Sequence, residues 1–303
     1  MNTPRIVSLL PSATEILAVL GLQPYLVGRS HECDFPSGVE SLPVCTAPKF
    51  DPHGDSLTIH HRVEDLLVGA LSVYRLETET LQNLRPTHIL TQAQCEVCAV
   101  SLGDVEAAIA DWGSPSPQVI SLQPTVLTEV WADIERVGAV FGRDPQEIVA
   151  GLRQQVQNLP SADPQPTVAC IEWIAPLMAA GNWVPELVRR AGGIPVLGVD
   201  GKHSPWLSWA ELAAADPDVV VFMPCGFDLN RTIAEAQTAL TDPMWESLQA
   251  VQTGRVYATD GNAYFNRPGP RLADSARILW EIFRHDQAQG PGWQAIARVG
   301  AGG

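Results

Sequence analysis

The apolar residues of segment 125–159 recur at steps of three and four, which predicts two helices in series. Such steps place the side chains on one face of a helix. Gly142 suits the end of the first helix, and Asp144-Pro145 suits the start of the second. The apolar positions are Val126, Leu127, Val130, Ile134, Val137 and Phe141, followed by Ile148, Leu152 and Val156.

Short apolar runs alternate with helical segments on both sides of these helices. Strands are predicted at 5–10, 25–28, 88–91 and 118–122, and again at 167–173, 195–198, 219–223 and 255–259. Residues 12–15 match a capping box, 45–60 indicate an irregular loop, and 63–74 indicate a helix. The alternation predicts an α/β fold with mainly parallel sheets and helices outside them. The predicted parts are an N-terminal lobe (1–124), a helical connector (125–159), a C-terminal lobe (160–285) and a mobile tail (286–303).

The two lobes share an internal repeat. Residues 80–90 (TLQNLRPTHIL) match residues 211–221 (ELAAADPDVVV) as helix, proline turn and buried strand, each followed by a loop with cysteine. Repetition of this kind predicts two similar lobes bridged by the connector, taken as a rigid helix. Ligands of parallel α/β sheets bind beyond the carboxyl ends of the strands. A ligand site is therefore expected in a cleft between the lobes.

Composition excludes some classes of function. The chain has 303 residues, 46% of them hydrophobic, and a net charge of −15, which argues against a nucleic-acid partner. No apolar run approaches the ~18 residues of a membrane span. The N-terminus shows no signal peptide, and the six cysteines need not pair in a reducing compartment. A cytoplasmic monomer is expected.

Several ordered motifs carry a resemblance to a known family. They are VSLLPSATE from Val7, the stretch from Val27-Gly28 to Pro36, the two proline-strand units, Pro205-Trp206, and YFNRPGPR from Tyr264. Over residues 5–285 the chain resembles the helical-backbone substrate-binding proteins of ABC importers, closest to periplasmic cobalamin-binding proteins. The resemblance implies cobalamin or a related corrinoid in the cleft. It also implies ligand contacts by Trp206 and by Tyr264, Phe265, Asn266 and Arg267.

Further ligand-binding candidates come from loops at predicted strand ends. They add a thiol, an imidazole and flat rings, which suit a broad, partly apolar ligand. No serine lies on a nucleophile elbow and no carboxylate pair has an acid–base context, so binding is favoured over catalysis. The added candidates are His31, Cys33, Trp173 and Cys225.

An alternative function uses the cysteines. Cys95 and Cys98 form a C-x-x-C pair that, with Cys33, His31 or Cys225, would hold a metal ion, as a metal-binding protein or a metal-dependent enzyme. The resemblance also implies docking on an ABC importer through an acidic residue seven positions before each repeat proline. Glu79 fits that rule, whereas the second lobe has Ala210, with Glu211 adjacent.

Overall fold

A computed structural model describes residues 3–68, 73–92, 100–112, 115–161 and 163–296. The chain divides into two compact units. Unit 1 comprises Met1–Gly54, Thr58–Pro124 and Thr128–Val149, and unit 2 comprises Asp55–Leu57, Thr125–Leu127 and Ala150–Gly303. Among the helices of the described residues, none is both long and apolar enough to cross a membrane.

The sheet of unit 1 is entirely parallel, with strand order β2-β1-β5-β6, and an antiparallel pair β3-β4 lies outside it. The strands up to the connector are β1 (Ile6–Ser8), β2 (Leu26–Arg29), β3 (Thr46–Pro48), β4 (Tyr74–Leu76), β5 (His88–Gln92) and β6 (Gln118–Leu122). The helices up to that point are α1 (Pro11–Val19), α2 (Ser56–Val68), α3 (Thr78–Leu84) and α4 (Leu102–Ile109).

The sheet of unit 2 has a parallel centre with antiparallel strands at its margins. Its strands are β7 (Thr167–Trp173), β8 (Met178–Ala179), β9 (Ile194–Val196), β10 (Val219–Phe222), β11 (Val256–Thr259), β12 (Gln289–Gly290) and β13 (Trp293–Ala295). The helices that follow α4 are α5 (Leu127–Val140), α6 (Gln146–Gln157), α7 (Val184–Arg190), α8 (Trp209–Ala215), α9 (Leu229–Ala239), α10 (Pro243–Glu246), α11 (Gln249–Gln252) and α12 (Leu272–Arg284).

The connector consists of the two predicted helices, α5 and α6. Gly142 ends the first with a φ of 63°, as its position between the helices predicts. Asp144 begins the second, because its Oδ1 accepts a hydrogen bond from the Gln146 main-chain N–H at 3.0 Å. The predicted apolar face of α5 is confirmed, since Leu127, Val130, Ile134 and Val137 are buried.

The internal repeat is confirmed in both topology and local geometry. The parallel strands of unit 1 run second-first-third-fourth (β2-β1-β5-β6), and those of unit 2 follow the same order (β9-β7-β10-β11). Helices α3 and α8 each end on a left-handed residue, Arg85 (φ 43°) and Asp216 (φ 34°). Pro86 and Pro217 follow, and neither can continue a helix. In each repeat the chain then enters a strand (β5 or β10) that pairs with the first strand of its unit.

Two local predictions in unit 1 are wrong. Helix α1 begins at Pro11 with Leu10 as its N-cap, because proline at the first position is pre-organised for a helix, so Ser12 caps nothing. The predicted helix 63–74 instead runs from Ser56 to Val68, and Tyr74 lies in β4. The predicted irregular loop 45–60 therefore contains β3 and the first turn of α2. Antiparallel pairing of β3 with β4 is a long-range interaction that local periodicity does not show.

The prediction of a mobile tail is also wrong for residues 286–296, the part of the tail that the structure describes. Strand β13 pairs antiparallel with β11, and β12 pairs with β13. Trp293 is fully buried, and its indole N–H donates to Glu281 Oε2 at 2.9 Å. Burial of one large aromatic side chain holds this segment on the sheet despite its glycine-rich composition.

The left-handed cap of α3 yields a stability prediction. Arg85→Gly should raise the free energy of unfolding by about 0.5 kcal/mol, because relief of left-handed strain exceeds the added flexibility of the unfolded chain. Asp216→Gly is the matched control. It should not be stabilising, since it also removes the acceptor of the Gln249 main-chain N–H at 2.8 Å. Urea titration of both variants measures the free energy of unfolding. A loss of stability in Arg85→Gly would contradict the assignment of backbone strain to Arg85.

Candidate functional site

The loop after β2 holds His31 at the carboxyl edge of the unit 1 sheet. Its main-chain N–H donates to Thr46 Oγ1 at 3.0 Å, and its ring Nδ1 lies 2.7 Å from the same oxygen. Thr46 in turn donates to Ser30 Oγ at 3.2 Å. The Tyr74 ring centroid lies 5.2 Å from that of His31. Main chain, hydroxyl and ring contacts thus fix the orientation of the imidazole.

The environment of His31 keeps its imidazole neutral at neutral pH. Burial, and secondarily the positive charge of Arg29, lower the pKa of His31 from its ordinary value of about 6.5 to about 4. Arg29 also shapes the loop, because its guanidinium donates to the carbonyl oxygens of Ser30 and Cys33. A neutral, half-buried imidazole can accept a hydrogen bond or coordinate a metal.

Cys33 lies inward from the same loop and is only 1% exposed. The Thr14 hydroxyl lies 3.1 Å from its Sγ and also donates to Ser8 Oγ at 2.9 Å. Cys45 is buried nearby, and burial raises the pKa of its thiol to about 11. The structure therefore places both thiols in the packed interior of unit 1.

In unit 2, aromatic rings follow two neighbouring parallel strands. Trp173 ends β7 and Phe227 follows β10, with their ring centroids 5.4 Å apart in an edge-on arrangement. The Arg231 guanidinium, in the first turn of α9, lies 3.6 Å from the Phe227 ring centroid. Asp228 begins this helix by accepting the Arg231 main-chain N–H at 2.8 Å. Phe227 is only 1% exposed, so its ring packs inside unit 2 and supports the half-buried Trp173 and the Arg231 guanidinium from within.

A second aromatic–cation pair follows β11. A π-helical turn, Gly261–Phe265, presents Tyr264, and the Arg271 guanidinium lies 5.4 Å from the tyrosine ring centroid. Asp260 anchors the turn by accepting the Ala263 main-chain N–H at 2.7 Å. Burial raises the pKa of Asp260, and the positive charge of Arg271 opposes that rise. We define the aromatic–guanidinium surface as the half-buried side chains Trp173, Arg231, Tyr264 and Arg271.

The three residues after Tyr264 are built into unit 2. Phe265 is fully buried, and its carbonyl accepts the indole N–H of Trp183 at 2.9 Å. Asn266 donates to the carbonyl oxygens of Met223 and Gly261, both at 3.0 Å. Arg267 is only 4% exposed. These residues shape the turn that presents Tyr264, and their own contact with a ligand stays a prediction.

Glu172 holds the loop of unit 2 that carries Trp206. The Trp206 side chain is 55% exposed, and the Trp206 main chain forms an isolated antiparallel bridge with Met178. Glu172, which the sequence analysis missed, accepts the Ser204 hydroxyl at 2.8 Å, and burial raises its pKa. The sequence feature that indicates Glu172 is a carboxylate near the end of an otherwise apolar strand, directly before Trp173. A buried acid there orders the loop that carries Trp206.

The centre of the predicted metal site lies outside the described residues, so that site stays a prediction. Cys225 is half-buried in the loop after β10, and its main-chain N–H donates to the Glu172 carbonyl at 3.2 Å. Cys95 and Cys98 lie outside the described residues. Within the described ranges, no group of three or more His, Cys, Asp or Glu side chains is arranged to hold a metal ion.

Comparison with known proteins identifies the class. The family model described as periplasmic binding protein matches residues 6–263, and the chain belongs to this family of substrate-binding proteins. A search of curated proteins finds no match.

Similar solved structures share the fold over nearly the whole chain. A periplasmic heme-binding protein from Pseudomonas aeruginosa is 21% identical, with a TM-score of 0.69, and the match covers 98% of this chain and 99% of that one. The periplasmic vitamin B12 binding protein of Vibrio cholerae is 18% identical, with a TM-score of 0.62, covering 94% and 98%. An ABC transporter substrate-binding protein from Listeria monocytogenes is 19% identical, with a TM-score of 0.65, covering 94% and 100%.

The low pKa of His31 predicts a specific pH dependence. Below about pH 6.5 His31 takes up a proton in the unfolded chain but not in the folded protein, which favours the unfolded state. The free energy of unfolding therefore falls as the pH is lowered from about 6.5 to about 4. Between pH 7 and pH 5, wild type should lose on the order of 1 kcal/mol more stability than His31→Gln. Urea unfolding at both pH values measures this. The variant keeps the other histidines. Parallel pH profiles of the free energy of unfolding for wild type and variant would therefore contradict the low pKa of His31.

Proposed function

We propose that this protein binds cobalamin or a related corrinoid, with contacts from the carboxyl edge of the unit 2 sheet. The aromatic–guanidinium surface of unit 2 is the observation that carries the proposal. A corrin is broad, apolar on its faces and edged with amides. Flat rings suit its faces, and guanidinium donors suit the carbonyl oxygens of its edge.

The carboxyl edge of the unit 1 sheet carries one candidate ligand-binding group of its own. His31 is neutral and held in one orientation, so its imidazole is available to a hydrogen-bond donor or a central metal. The structural relatives named for vitamin B12 and for heme both point to a tetrapyrrole-type macrocycle. Amide-bearing and carboxylate-bearing macrocycles then become the alternatives to be separated by experiment.

Cooperation with an ABC importer, a property of the class, has unequal support in the two repeats. Glu79 is exposed in the first turn of α3. Glu211 instead caps α8, because its carboxylate accepts both the main-chain N–H (2.8 Å) and the hydroxyl (2.7 Å) of Ser208. Those hydrogen bonds lower the pKa of Glu211 and fix its position. We propose Glu79 as the docking residue, and the cytoplasmic location stays a prediction.

Replacement of Trp206 tests the ligand assignment. Trp206→Ala removes a half-exposed aromatic contact and should weaken cobalamin binding by about thirtyfold, the equivalent of ~2 kcal/mol at an interface hot spot. Met244→Ala is the control. It removes a 44% exposed apolar side chain from α10, which precedes the amino end of β11, and should leave affinity unchanged.

Calorimetric titration with cobalamin gives both affinities. If wild type binds no cobalamin, the corrinoid proposal fails. Metal analysis of protein purified without chelator then decides for or against the alternative based on Cys95 and Cys98. If both variants bind as wild type does, Trp206 is not part of the site.

A further inference from the structure

The turn that joins β12 to β13 lies against the ring of Tyr264. Gly290 pairs with Trp293, so Pro291 and Gly292 alone form this turn. Proline followed by glycine is typical of a type II β-turn, whose second central residue needs a positive φ, and Gly292 has a φ of 80°. We define the C-terminal hairpin as β12, β13 and this turn, residues 289–295.

Gly292 leaves no room for a side chain on the side that faces Tyr264. A Cβ atom built on Gly292 would lie 2.9 Å from Tyr264 Cδ2 and 3.2 Å from Cζ, and closer still to Cε2, the ring atom between them. Carbon atoms that are not bonded to each other pack at about 3.5–4.0 Å. Even a methyl group at this position would therefore displace the tyrosine ring.

The main chain on both sides of this contact is held in place, so the tyrosine ring is the part that can move. The main-chain N–H of Asp260 donates to the Gly292 carbonyl at 2.8 Å, and the next residue, Trp293, is fully buried. The Tyr264 main-chain N–H donates to the Asp260 carbonyl at 3.2 Å, and the Tyr264 carbonyl accepts the Ser275 hydroxyl at 2.6 Å. Asp260 thus links the hairpin to the turn that presents Tyr264.

We propose that the C-terminal hairpin belongs to the binding site and that Gly292 is a positioning residue for Tyr264. The inference rests on the proposed function, since Tyr264 is part of the aromatic–guanidinium surface. The main chain at Gly292 supports one edge of the ring, and the Arg271 guanidinium lies 5.4 Å from the ring centroid. Displacement of the ring would change both the apolar face offered to a ligand and its distance from this cation.

The contact between Gly292 and Tyr264 is tested first without a ligand. In protein that carries ¹³C-labelled tyrosine rings, Tyr264→Phe identifies the NMR signals of Tyr264 among those of the four tyrosines. Gly292→Ala should shift these signals. Unchanged Tyr264 signals would overturn the positioning role even if the protein binds cobalamin.

Gly254→Ala is the matched control for backbone strain. Gly254 lies in the same unit, just before β11, and also has a positive φ, 72°. Within the described part of the chain and apart from its own neighbours, a Cβ atom there would meet nothing within 4 Å. The two variants share the strain of a left-handed alanine and differ in the contact with Tyr264. Equal shifts of the Tyr264 signals in both variants would overturn the inference.

Calorimetric titration with cobalamin tests the consequence for binding. Gly292→Ala should weaken binding by about tenfold, because the ring is displaced but not removed, and Gly254→Ala should stay within about twofold of wild type. In a Tyr264→Ala background the added methyl group has room, so Gly292→Ala should cost no further affinity. This separates action through the ring from a general loss of structure.

Two results of the titration would overturn the role of the hairpin in binding. One is unchanged affinity in Gly292→Ala, and the other is a loss of affinity that persists undiminished in the Tyr264→Ala background. If wild type binds no cobalamin while the Tyr264 signals still shift in Gly292→Ala, the positioning of Tyr264 by Gly292 stands and the corrinoid proposal fails.

Discussion

Parallel strand pairing is the constraint on which the candidate site depends. In each unit the first strand lies between the second and the third, so the chain leaves all of them at one edge. In the unit 2 sheet, Trp173 ends β7, Phe227 follows β10 and Tyr264 follows β11, although the three are far apart in sequence. Only the register of buried strands brings such residues to a common edge, and that register depends on uninterrupted burial of segments such as Val219–Phe222.

The cysteines illustrate how burial decides between two chemical roles. A thiol coordinates metal as thiolate and releases its proton when the metal binds, so the metal must be able to reach the sulfur. Burial instead raises the pKa of Cys45 and, more strongly, that of Cys170. Cys33 is likewise enclosed and contacts the Thr14 hydroxyl. These three thiols have the properties of small core side chains, and the metal site predicted around Cys95 and Cys98 stays a prediction.

Much of the fold could be predicted from the sequence, because its main signals are local. Strands β6 and β7 have the predicted bounds, and the repeat of helix, proline and buried strand is present in both units. The predictions that failed depend on distant contacts. Tyr74 joins a strand because β3 pairs with β4, and Trp293 orders the C-terminal segment by packing on the sheet.

The candidate site could be predicted as a set of loops, but the role of each side chain could not. Within one motif, Tyr264 contacts the Arg271 guanidinium through its ring face, whereas Phe265 is wholly buried. Neighbouring residues in a turn point in opposite directions, and sequence alone does not show which one faces outward.

The chemistry of the two sheet edges differs, and this difference narrows the ligand. The edge of unit 2 offers a ring and guanidinium donors, as at Tyr264 and Arg271. The edge of unit 1 offers a hydrogen-bond acceptor, the neutral imidazole of His31. A carboxylate-edged macrocycle satisfies only the donors, because a carboxylate has no hydrogen to give. A primary amide both donates and accepts, so this type of side arm suits the chemistry of each edge taken by itself. That physical match, rather than fold similarity shared with heme-binding and vitamin B12 binding proteins, is the reason to favour a corrinoid.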